Sequence, residues 1–171
     1  MSRPTTRTER VSTFAEAADA HLDDVFGYLL YLSRNRETAE DLTSATFEKA
    51  LRTWNRFDPR RGSAKTWLLG MARTTALDWF RSETRRRRRE EATARPELVE
   101  EAFLEGLSPE LERALTVLTA GEREVIALRV VLDLETDATA RVLGVSPTAV
   151  TTKLSRALKR LEERMTNDEL G

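Results

Sequence analysis

Residues 136–160 read TDATARVLGVSPTAVTTKLSRALKR, and this stretch decides the fold of the second half of the chain. We expect a short helix to end at Leu143, because Gly144 can adopt the left-handed backbone conformation of a tight helix exit. Ser146 is suited to cap a following helix, and Pro147 is suited to the first position of that helix. The pattern therefore predicts two helices joined by a tight turn.

The second of these helices has an apolar face and a polar face. Its apolar residues recur at helical spacing: Val150, Leu154, Ala157, Leu158 and Leu161. The rest of its surface carries short hydroxyl side chains and cations: Thr151, Thr152, Lys153, Ser155, Arg156, Lys159 and Arg160. Short donors and an arginine on one helix are typical of the recognition helix of a helix-turn-helix motif, which reads the major groove of DNA. The alternative is an ordinary helical hairpin with a solvated basic face.

The composition excludes several classes of protein. The chain has 171 residues, a formal net charge of −1 and no cysteine. That length suits one ordinary domain or two small ones, and the missing thiols exclude disulfides, cysteine-based zinc sites and direct thiol sensing. No apolar run is long enough for a membrane span and no apolar signal-peptide core follows the polar start, so we expect a cytoplasmic protein.

The chain is predicted to be all-α, in two small helical domains joined by a charged linker. No long alternating segment favours strands, and the five prolines fall near expected boundaries. Helical periodicity covers residues 14–35, 37–57 and 64–81, with a loop at 58–63. The resulting division is a disordered tail at 1–13, a helical domain at 14–84, a linker at 85–108, a helix-turn-helix domain at 109–165 and a short tail at 166–171.

The first domain combines aromatic residues with cations. The set comprises Trp54, Arg56, Phe57, Arg60, Arg61, Lys65, Trp67, Arg73, Trp79 and Arg81. Rings on which bases stack and cations that follow phosphates are what unpaired DNA requires. The alternative, which we favour for Trp54 and Trp67, is that rings at helical spacing belong to the core. The basic run Arg85–Arg89 is either a solvated helix end or a contact to the nucleic-acid backbone.

No group of residues converges on an active site. His21 is the single histidine, and the adjacent carboxylates of Glu40 and Asp41 point in different directions on a helix. The sequence has neither a phosphate-binding glycine loop nor a His-Glu-x-x-His pattern. We therefore expect no catalytic residue, no metal and no cofactor.

Three segments of the sequence resemble one known family. They are the run AEDLTSATF at 39–47, the segment 57–73 containing KTWL at 65–68, and LTAGEREV at 118–125 followed by the helix-turn-helix. Together they resemble the extracytoplasmic-function sigma factors of bacterial RNA polymerase over roughly residues 15–163, in the same order. The resemblance implies two helical domains with a linker, corresponding to sigma regions 2 and 4.

The resemblance also implies roles for individual residues. Core polymerase, through the clamp of its largest subunit, would contact a set of four residues: Glu40, Asp41, Leu42 and Phe47. Of these, Asp41 is the expected polar contact, whereas Leu42 and Phe47 are expected in the core. The flap of the second-largest polymerase subunit and an anti-sigma factor are further implied partners.

Two sets of residues are implied to contact promoter DNA. The −10 element would be met by Asp58, Arg60, Arg61, Ser63, Lys65, Arg73, Thr74, Asp78 and Arg81, with the loop at 58–64 capturing a flipped base. The −35 element would be met by Thr151, Thr152, Lys153, Ser155 and Arg156, with Lys153 suited to phosphate. The linker resembles the segment that threads towards the RNA exit path of polymerase.

The sequence departs from the family pattern at a few positions. Thr74 replaces a frequent asparagine, Thr136 replaces a common aromatic residue, and Thr139 replaces a common aliphatic residue. A threonine at an apolar position needs a partner for its hydroxyl, often a backbone carbonyl one turn earlier. Asp133 replaces a frequent glycine before the first helix of the motif.

The function that the sequence indicates is promoter recognition in transcription initiation, as a non-catalytic subunit of polymerase. Opening a base step costs a few kcal/mol, and trapping an unstacked base offsets that cost. Two other functions were weighed: a stand-alone helix-turn-helix regulator that binds duplex DNA without polymerase, and a helical adaptor that binds no DNA. The docking motif around Asp41 argues against both.

Overall fold

The computed structural model describes residues 13–91 and 109–169 of the chain. The helices of this part are α1 (Phe14–Ser33), α2 (Arg36–Thr53), α3 (Ala64–Glu91), α4 (Pro109–Leu115), α5 (Ala120–Ile126), α6 (Thr136–Leu143) and α7 (Pro147–Glu169). An all-α fold is confirmed for the described residues. The predicted N-terminal tail, except Thr13, lies outside them, as do residues 92–108 of the predicted linker and the last two residues of the chain.

Helices α1, α2 and α3 pack against one another and form the first domain. Side-chain caps set the starts of the first two helices, because the Thr13 hydroxyl accepts a hydrogen bond from the Glu16 amide and Asn35 accepts one from the Thr38 amide. Arg34 ends α1 in the left-handed conformation. The result is a tight corner that returns α2 along α1.

An aromatic cluster closes the end of this domain beside the loop 57–63. A 3-10 turn, Trp54–Arg56, follows α2, so the predicted helix over 37–57 ends earlier than expected. The rings of Trp54 and Phe57 stack with centroids 4.8 Å apart, and Trp67 meets Trp54 edge-on at 5.6 Å. Trp67 also packs against the buried core. The core interpretation of Trp54 and Trp67 is thereby supported, and the cluster fixes both ends of the loop.

Helix α3 is longer than the sequence pattern suggested. It continues through the Arg85–Arg89 run to Glu91, whereas the linker was expected to begin at residue 85. The segment from Met71 to Glu91 contains no proline or glycine to stop a helix, and the Arg86 guanidinium pairs with Glu83 at 2.8 Å one turn away. The arginine side chains of the run are exposed on this helix end, and their contact with a nucleic-acid backbone stays a prediction.

The second domain consists of α4 to α7. The first turn of α5 is closed by a reciprocal capping box, in which Thr119 and Glu122 each bond the other's backbone amide. A π-helical turn, Ala127–Val131, follows α5 and leads to Asp133, whose φ of 53° lies in the left-handed region. The family's frequent glycine at that position is explained by this backbone conformation, and aspartate is one of the few other residues that tolerate it.

The predicted helix-turn-helix is present, and its turn has the predicted residues in the predicted roles. Helix α6 ends at Leu143, and Gly144 adopts φ 65° as expected. The Ser146 hydroxyl accepts a hydrogen bond from the Ala149 amide, and Pro147 opens α7. These local signals decide where the recognition helix starts and therefore which of its residues face outwards.

The two domains pack directly against each other, which the sequence did not indicate. A single buried apolar cluster extends from Val25 and Leu68 of the first domain to Leu128 and Val150 of the second. Helix α6 lies against α3, and the π-helical turn contacts α1. The described structure is thus a closed arrangement in which the side of the first domain that carries Lys65 and Arg73 faces the second domain.

Candidate nucleic-acid interface

The recognition helix α7 presents an open polar face, here called the reading face and comprising Thr151, Thr152, Ser155 and Arg156. All four side chains are exposed. The Thr151 hydroxyl donates to the Pro147 carbonyl at 3.2 Å, which holds that side chain against the helix. A short-donor surface with one arginine is what the edges of base pairs in a major groove can accept.

Lys153 differs from its neighbours on the reading face. It is half-buried, and its ammonium lies near α5, 3.4 Å from the position that a β-carbon on Gly121 would occupy. The absence of a side chain at Gly121 therefore leaves room for Lys153 to fold back on its own domain. The contact of Lys153 with a DNA phosphate stays a prediction.

Two residues of the motif differ from the sequence expectation. Leu158, expected on the apolar face, is 48% exposed, because Ala157 occupies the buried position instead. The hydroxyl of Thr139 is fully buried and has no hydrogen-bond partner among the described residues, so the expected bond to a carbonyl one turn earlier is not formed. The side chain fits the space of an aliphatic residue but leaves a polar atom unsatisfied.

The loop 57–63, which precedes α3 within the first domain, is ordered by an ion pair between its own residues Asp58 and Arg60. Asp58 accepts a hydrogen bond from the backbone amide of Arg60. It also accepts two hydrogen bonds from the Arg60 guanidinium, at 3.0 and 3.1 Å. These side-chain and backbone bonds hold the pKa of Asp58 below its usual value. Asp58 therefore shapes the loop, whereas Arg61 and Ser63 keep exposed side chains.

A cleft of about 630 Å³ opens beside this loop. Its walls carry the rings of Phe57 and Trp67 and several cations: Lys49, Arg56, Arg61, Arg73 and Arg141. Aromatic rings next to guanidinium and ammonium groups suit a nucleotide, whose base stacks and whose phosphate is attracted. Arg141 comes from α6, so both domains line the cleft, which we call the −10 cleft after the promoter element that it is predicted to contact.

Two of the predicted −10 residues, Lys65 and Arg73, form hydrogen bonds with the second domain. The Lys65 ammonium donates to the Leu132 carbonyl at 2.6 Å and lies 3.6 Å from the Asp24 carboxylate. The Arg73 guanidinium donates to Glu124 of α5 at 2.7 Å. Both side chains are therefore bonded to the second domain and only partly exposed.

The other predicted −10 residues lie along the exposed side of α3. The Thr74 hydroxyl donates to the Gly70 carbonyl, and Asp78 and Arg81 form an exposed pair at 3.5 Å. Surface pairs of this kind contribute little to stability. These three side chains consequently remain available for contacts outside the chain.

Two of the predicted polymerase-binding residues are exposed, and the other two pack inside the first domain. Asp41 is exposed, and Glu40 is exposed and pairs with Arg36 at 3.1 Å. Leu42 is buried in the core and the Phe47 ring packs edge-on against Phe14. The structure thus leaves the carboxylates of Glu40 and Asp41 as the accessible part of this set.

Sequence reasoning missed the residues that join the domains. They are Tyr28, Tyr31, Arg61, Glu124 and Arg141, together with the interdomain bonds of Lys65 and Arg73. Glu124 lay inside a segment that the resemblance covers, but no pattern marked its partner, because Arg73 is 51 residues away in the chain. A carboxylate on a short amphipathic helix is ordinarily solvated, so the sequence carried no signal for this contact.

Residues 13–91 and 109–169 contain no group of three or more histidine, aspartate and glutamate side chains arranged to hold a metal ion. None of the helices in this part of the chain has the length and apolar character required to cross a membrane.

Comparison with known families identifies the class of protein. The model of Sigma-70 region 2 matches residues 17–86, and that of Sigma-70 region 4 matches residues 101–161. The chain is 30% identical over 163 residues to the ECF RNA polymerase sigma factor SigX of Bacillus subtilis, covering 90% of this chain and 84% of SigX. It is 33% identical over 151 residues to SigC of Mycobacterium tuberculosis, covering 86% and 80% of the two chains. The chain belongs to the ECF sigma factors, a branch of the sigma-70 family.

Solved structures share the fold. The sigma factor RpoE of Bartonella quintana, determined in complex with the anti-sigma factor NepR, superposes with a TM-score of 0.73 at 22% identity, over 90% of this chain and 96% of that one. CnrH in complex with the cytosolic domain of CnrY gives a TM-score of 0.66 at 24% identity, over 91% and 88%. Membership of this family makes the protein a sigma factor for promoter-specific transcription initiation by RNA polymerase.

Proposed function

We propose that the two domains divide the promoter between them, with α7 reading the −35 element and the first domain holding the melted −10 element. The −10 cleft carries the second half of this proposal, because it combines aromatic walls with several cations beside a loop ordered by Asp58 and Arg60. Base stacking on rings and phosphate attraction to cations together suit a flipped nucleotide of a single strand.

The reading face of α7 supports the assignment to duplex DNA. Arg156 is exposed on the polar side of the helix and can donate two hydrogen bonds to a guanine edge. The three hydroxyl side chains beside it are short, so the helix backbone can approach the base pairs closely. Lys153 of the same helix, half-buried beside Gly121, is assigned to a phosphate.

Docking to polymerase is assigned to the exposed carboxylates of α2. Glu40 and Asp41 would meet the clamp of the largest subunit, and the second domain would meet the flap of the second-largest subunit. Leu42 and Phe47 support this surface from the core. In this assignment the protein contributes binding energy alone, and polymerase supplies all catalysis.

An anti-sigma factor is proposed as a further partner. Apolar side chains such as Leu51, Val130 and Val131 are exposed on the two domains, and Val131 is 71% exposed. A partner chain that covers them would remove apolar surface from water. Capture of tagged protein from the native host, followed by reconstitution with the purified partner, tests this assignment; failure of any purified partner to block transcription would refute it.

Transcription in vitro with purified core polymerase and a panel of genomic promoters tests the proposed division. We expect the chain to bind core polymerase firmly and to bind duplex promoter DNA weakly when alone, because its contacts are split between two small domains and its net charge is only −1. Tight, sequence-specific duplex binding by the chain alone at physiological salt, without promoter-dependent initiation, would favour a stand-alone regulator.

A further inference from the structure

A buried polar contact joins the two domains at the centre of their interface. The Glu124 carboxylate of α5 accepts hydrogen bonds from two side chains of the first domain, the Tyr28 hydroxyl at 2.6 Å and the Arg73 guanidinium at 2.7 Å. The second Arg73 nitrogen lies 3.5 Å from the other carboxylate oxygen. We call Tyr28, Arg73 and Glu124 the interdomain latch.

The latch is shielded from water. The side chain of Glu124 is 14% exposed, that of Arg73 is 24% exposed, and Tyr28 is almost fully buried. Burial and the nearby Glu124 carboxylate raise the pKa of Tyr28, so its hydroxyl remains a donor. For Arg73, burial alone would lower the pKa, but the hydrogen bond and charge of Glu124 outweigh it and the pKa is raised. Tyr28 and Arg73 therefore both remain hydrogen-bond donors to Glu124.

Other contacts across the interface lie around the latch. The Tyr31 hydroxyl donates to the Arg123 carbonyl at 2.7 Å, and the Lys65 ammonium donates to the Leu132 carbonyl at 2.6 Å. At the mouth of the −10 cleft, the Arg141 guanidinium donates to the Arg61 carbonyl. The acceptors are backbone carbonyls of α5, of the residue after the π-helical turn and of the loop 57–63, so each bond depends on the orientation of the second domain.

The position of these contacts has a consequence for DNA binding. Lys65 and Arg73 are assigned to the −10 element, and both are bonded to the second domain instead. Arg141 covers part of the loop that would capture a base. A −10 strand and the second domain thus compete for the same side chains.

We infer that the interdomain latch holds the free sigma factor in a self-inhibited, closed state, in which the second domain covers the −10 contacts of the first. Recognition of the −10 strand requires the latch to break and the domains to separate. The closed state stands on the interdomain contacts themselves, whereas its inhibitory consequence rests on the proposed assignment of Lys65 and Arg73 to the −10 element.

The chain offers a matched pair of variants for a test. Glu124→Gln removes the charge that bridges the domains. Glu122→Gln removes a similarly buried charge two residues earlier on the same helix, where the partner is Arg160 of the same domain. Glutamine also preserves the capping box of α5. Neither glutamate belongs to the proposed DNA-binding or polymerase-binding residues.

Distances between the domains give the direct measurement. Because the chain contains no cysteine, Glu37→Cys and Glu162→Cys place one label on an exposed site of each domain. Spin-label distances in the free protein should be narrow in the parent and in Glu122→Gln. In Glu124→Gln the population at longer distances should rise roughly tenfold or more, because hydrogen bonds to charged groups contribute strongly when shielded from water. A broad distribution in the parent, or identical distributions in both variants, would overturn the closed state.

Binding of a single-stranded oligonucleotide of adenines and thymines tests the inhibitory consequence. Glu124→Gln should bind it more tightly than Glu122→Gln, by about the factor by which the extended population rises, although the two proteins carry the same net charge. Equal affinities alongside different distances would refute self-inhibition. Failure of promoter-dependent transcription would instead refute the proposed function and leave the distance measurement unaffected.

A second variant covers the case in which Glu124→Gln folds poorly by circular dichroism. Tyr28→Phe removes one hydroxyl and retains the buried ring, so the first-domain core stays filled. It should shift the spin-label distances and the oligonucleotide affinity in the same direction as Glu124→Gln, by a smaller factor. A folded Tyr28→Phe protein with parental distances and parental affinity would overturn the role of the latch.

Discussion

The two surfaces that we propose to contact promoter DNA differ in their exposure. The reading face of α7 is open to solvent, with Arg156 and its neighbouring hydroxyl side chains exposed. On the first domain, Lys65 and Arg73 are bonded to the second domain. The face proposed for duplex DNA is therefore open to solvent, whereas two residues proposed for the −10 strand bond to the second domain.

This difference agrees with the order of events in promoter opening. Duplex DNA exists before melting, whereas a single strand becomes available only afterwards. A domain that reads duplex needs no rearrangement, because the major groove is accessible from the start. A domain that holds an unstacked strand is needed only once polymerase has opened the promoter. Bonds between its strand-binding residues and the second domain therefore do not interfere with the earlier binding of duplex DNA.

The largest expected effect concerns the third surface, that of Asp41. Asp41→Arg should weaken assembly with core polymerase by about a hundredfold, because an exposed carboxylate becomes a repelling cation at a complementary interface. Gel filtration and titration with labelled core polymerase measure the affinity, and circular dichroism checks the fold. Asp19→Arg, the same charge change on exposed α1, is the control. Equal assembly by both variants would remove Asp41 from the docking surface.

The open reading face yields the next prediction. Arg156→Ala should relax preference at one −35 position by about 1–3 kcal/mol, the value of a bidentate contact to guanine. Lys153→Ala should weaken all promoters alike and reduce the salt dependence, because phosphate contacts carry no sequence information. Holoenzyme footprinting on single-base −35 variants at two salt concentrations measures both effects. A uniform loss for Arg156→Ala would make Arg156 a backbone contact or a structural residue.

The smallest expected effect compares two buried threonines, one in each domain. Thr139 of the second domain has an unpaired hydroxyl, whereas the equally buried Thr46 of the first donates to the Leu42 carbonyl at 2.7 Å. Thr139→Val should raise the free energy of unfolding by about 1 kcal/mol, because it removes an unsatisfied buried group. Thr46→Val should give no gain. Thermal and urea unfolding measure both, and equal changes would contradict the argument.

Local sequence signals predicted the parts of the fold that depend on local chemistry. Gly144, Ser146 and Pro147 located the turn of the helix-turn-helix because their conformational preferences act within a few residues. Asp133 was noted at a position where the family frequently has glycine, and its left-handed backbone explains that preference. Helix ends without such signals were less well predicted, as the continuation of α3 to Glu91 shows.

The packing of the domains could not be predicted from the same signals. Tyr28 and Glu124 are 96 residues apart, and each is unremarkable on its own helix. Their contact depends on how two separately folded surfaces fit together, which no periodicity encodes. For this reason, the exposure of residues such as Arg156 could be predicted from the sequence, whereas the bonds of Lys65 and Arg73 to the second domain are seen only in the structure.

The aromatic cluster at the end of α2 has an optical consequence. All three tryptophans of the chain, Trp54, Trp67 and Trp79, belong to the first domain, and two of them flank the loop beside the −10 cleft. Intrinsic emission excited at the indole band therefore reports on that domain alone. A base that stacks against Trp67 would quench this emission, and the second domain contributes no indole background. The protein thus carries an intrinsic fluorescent label beside the cleft that is proposed to hold the melted −10 strand.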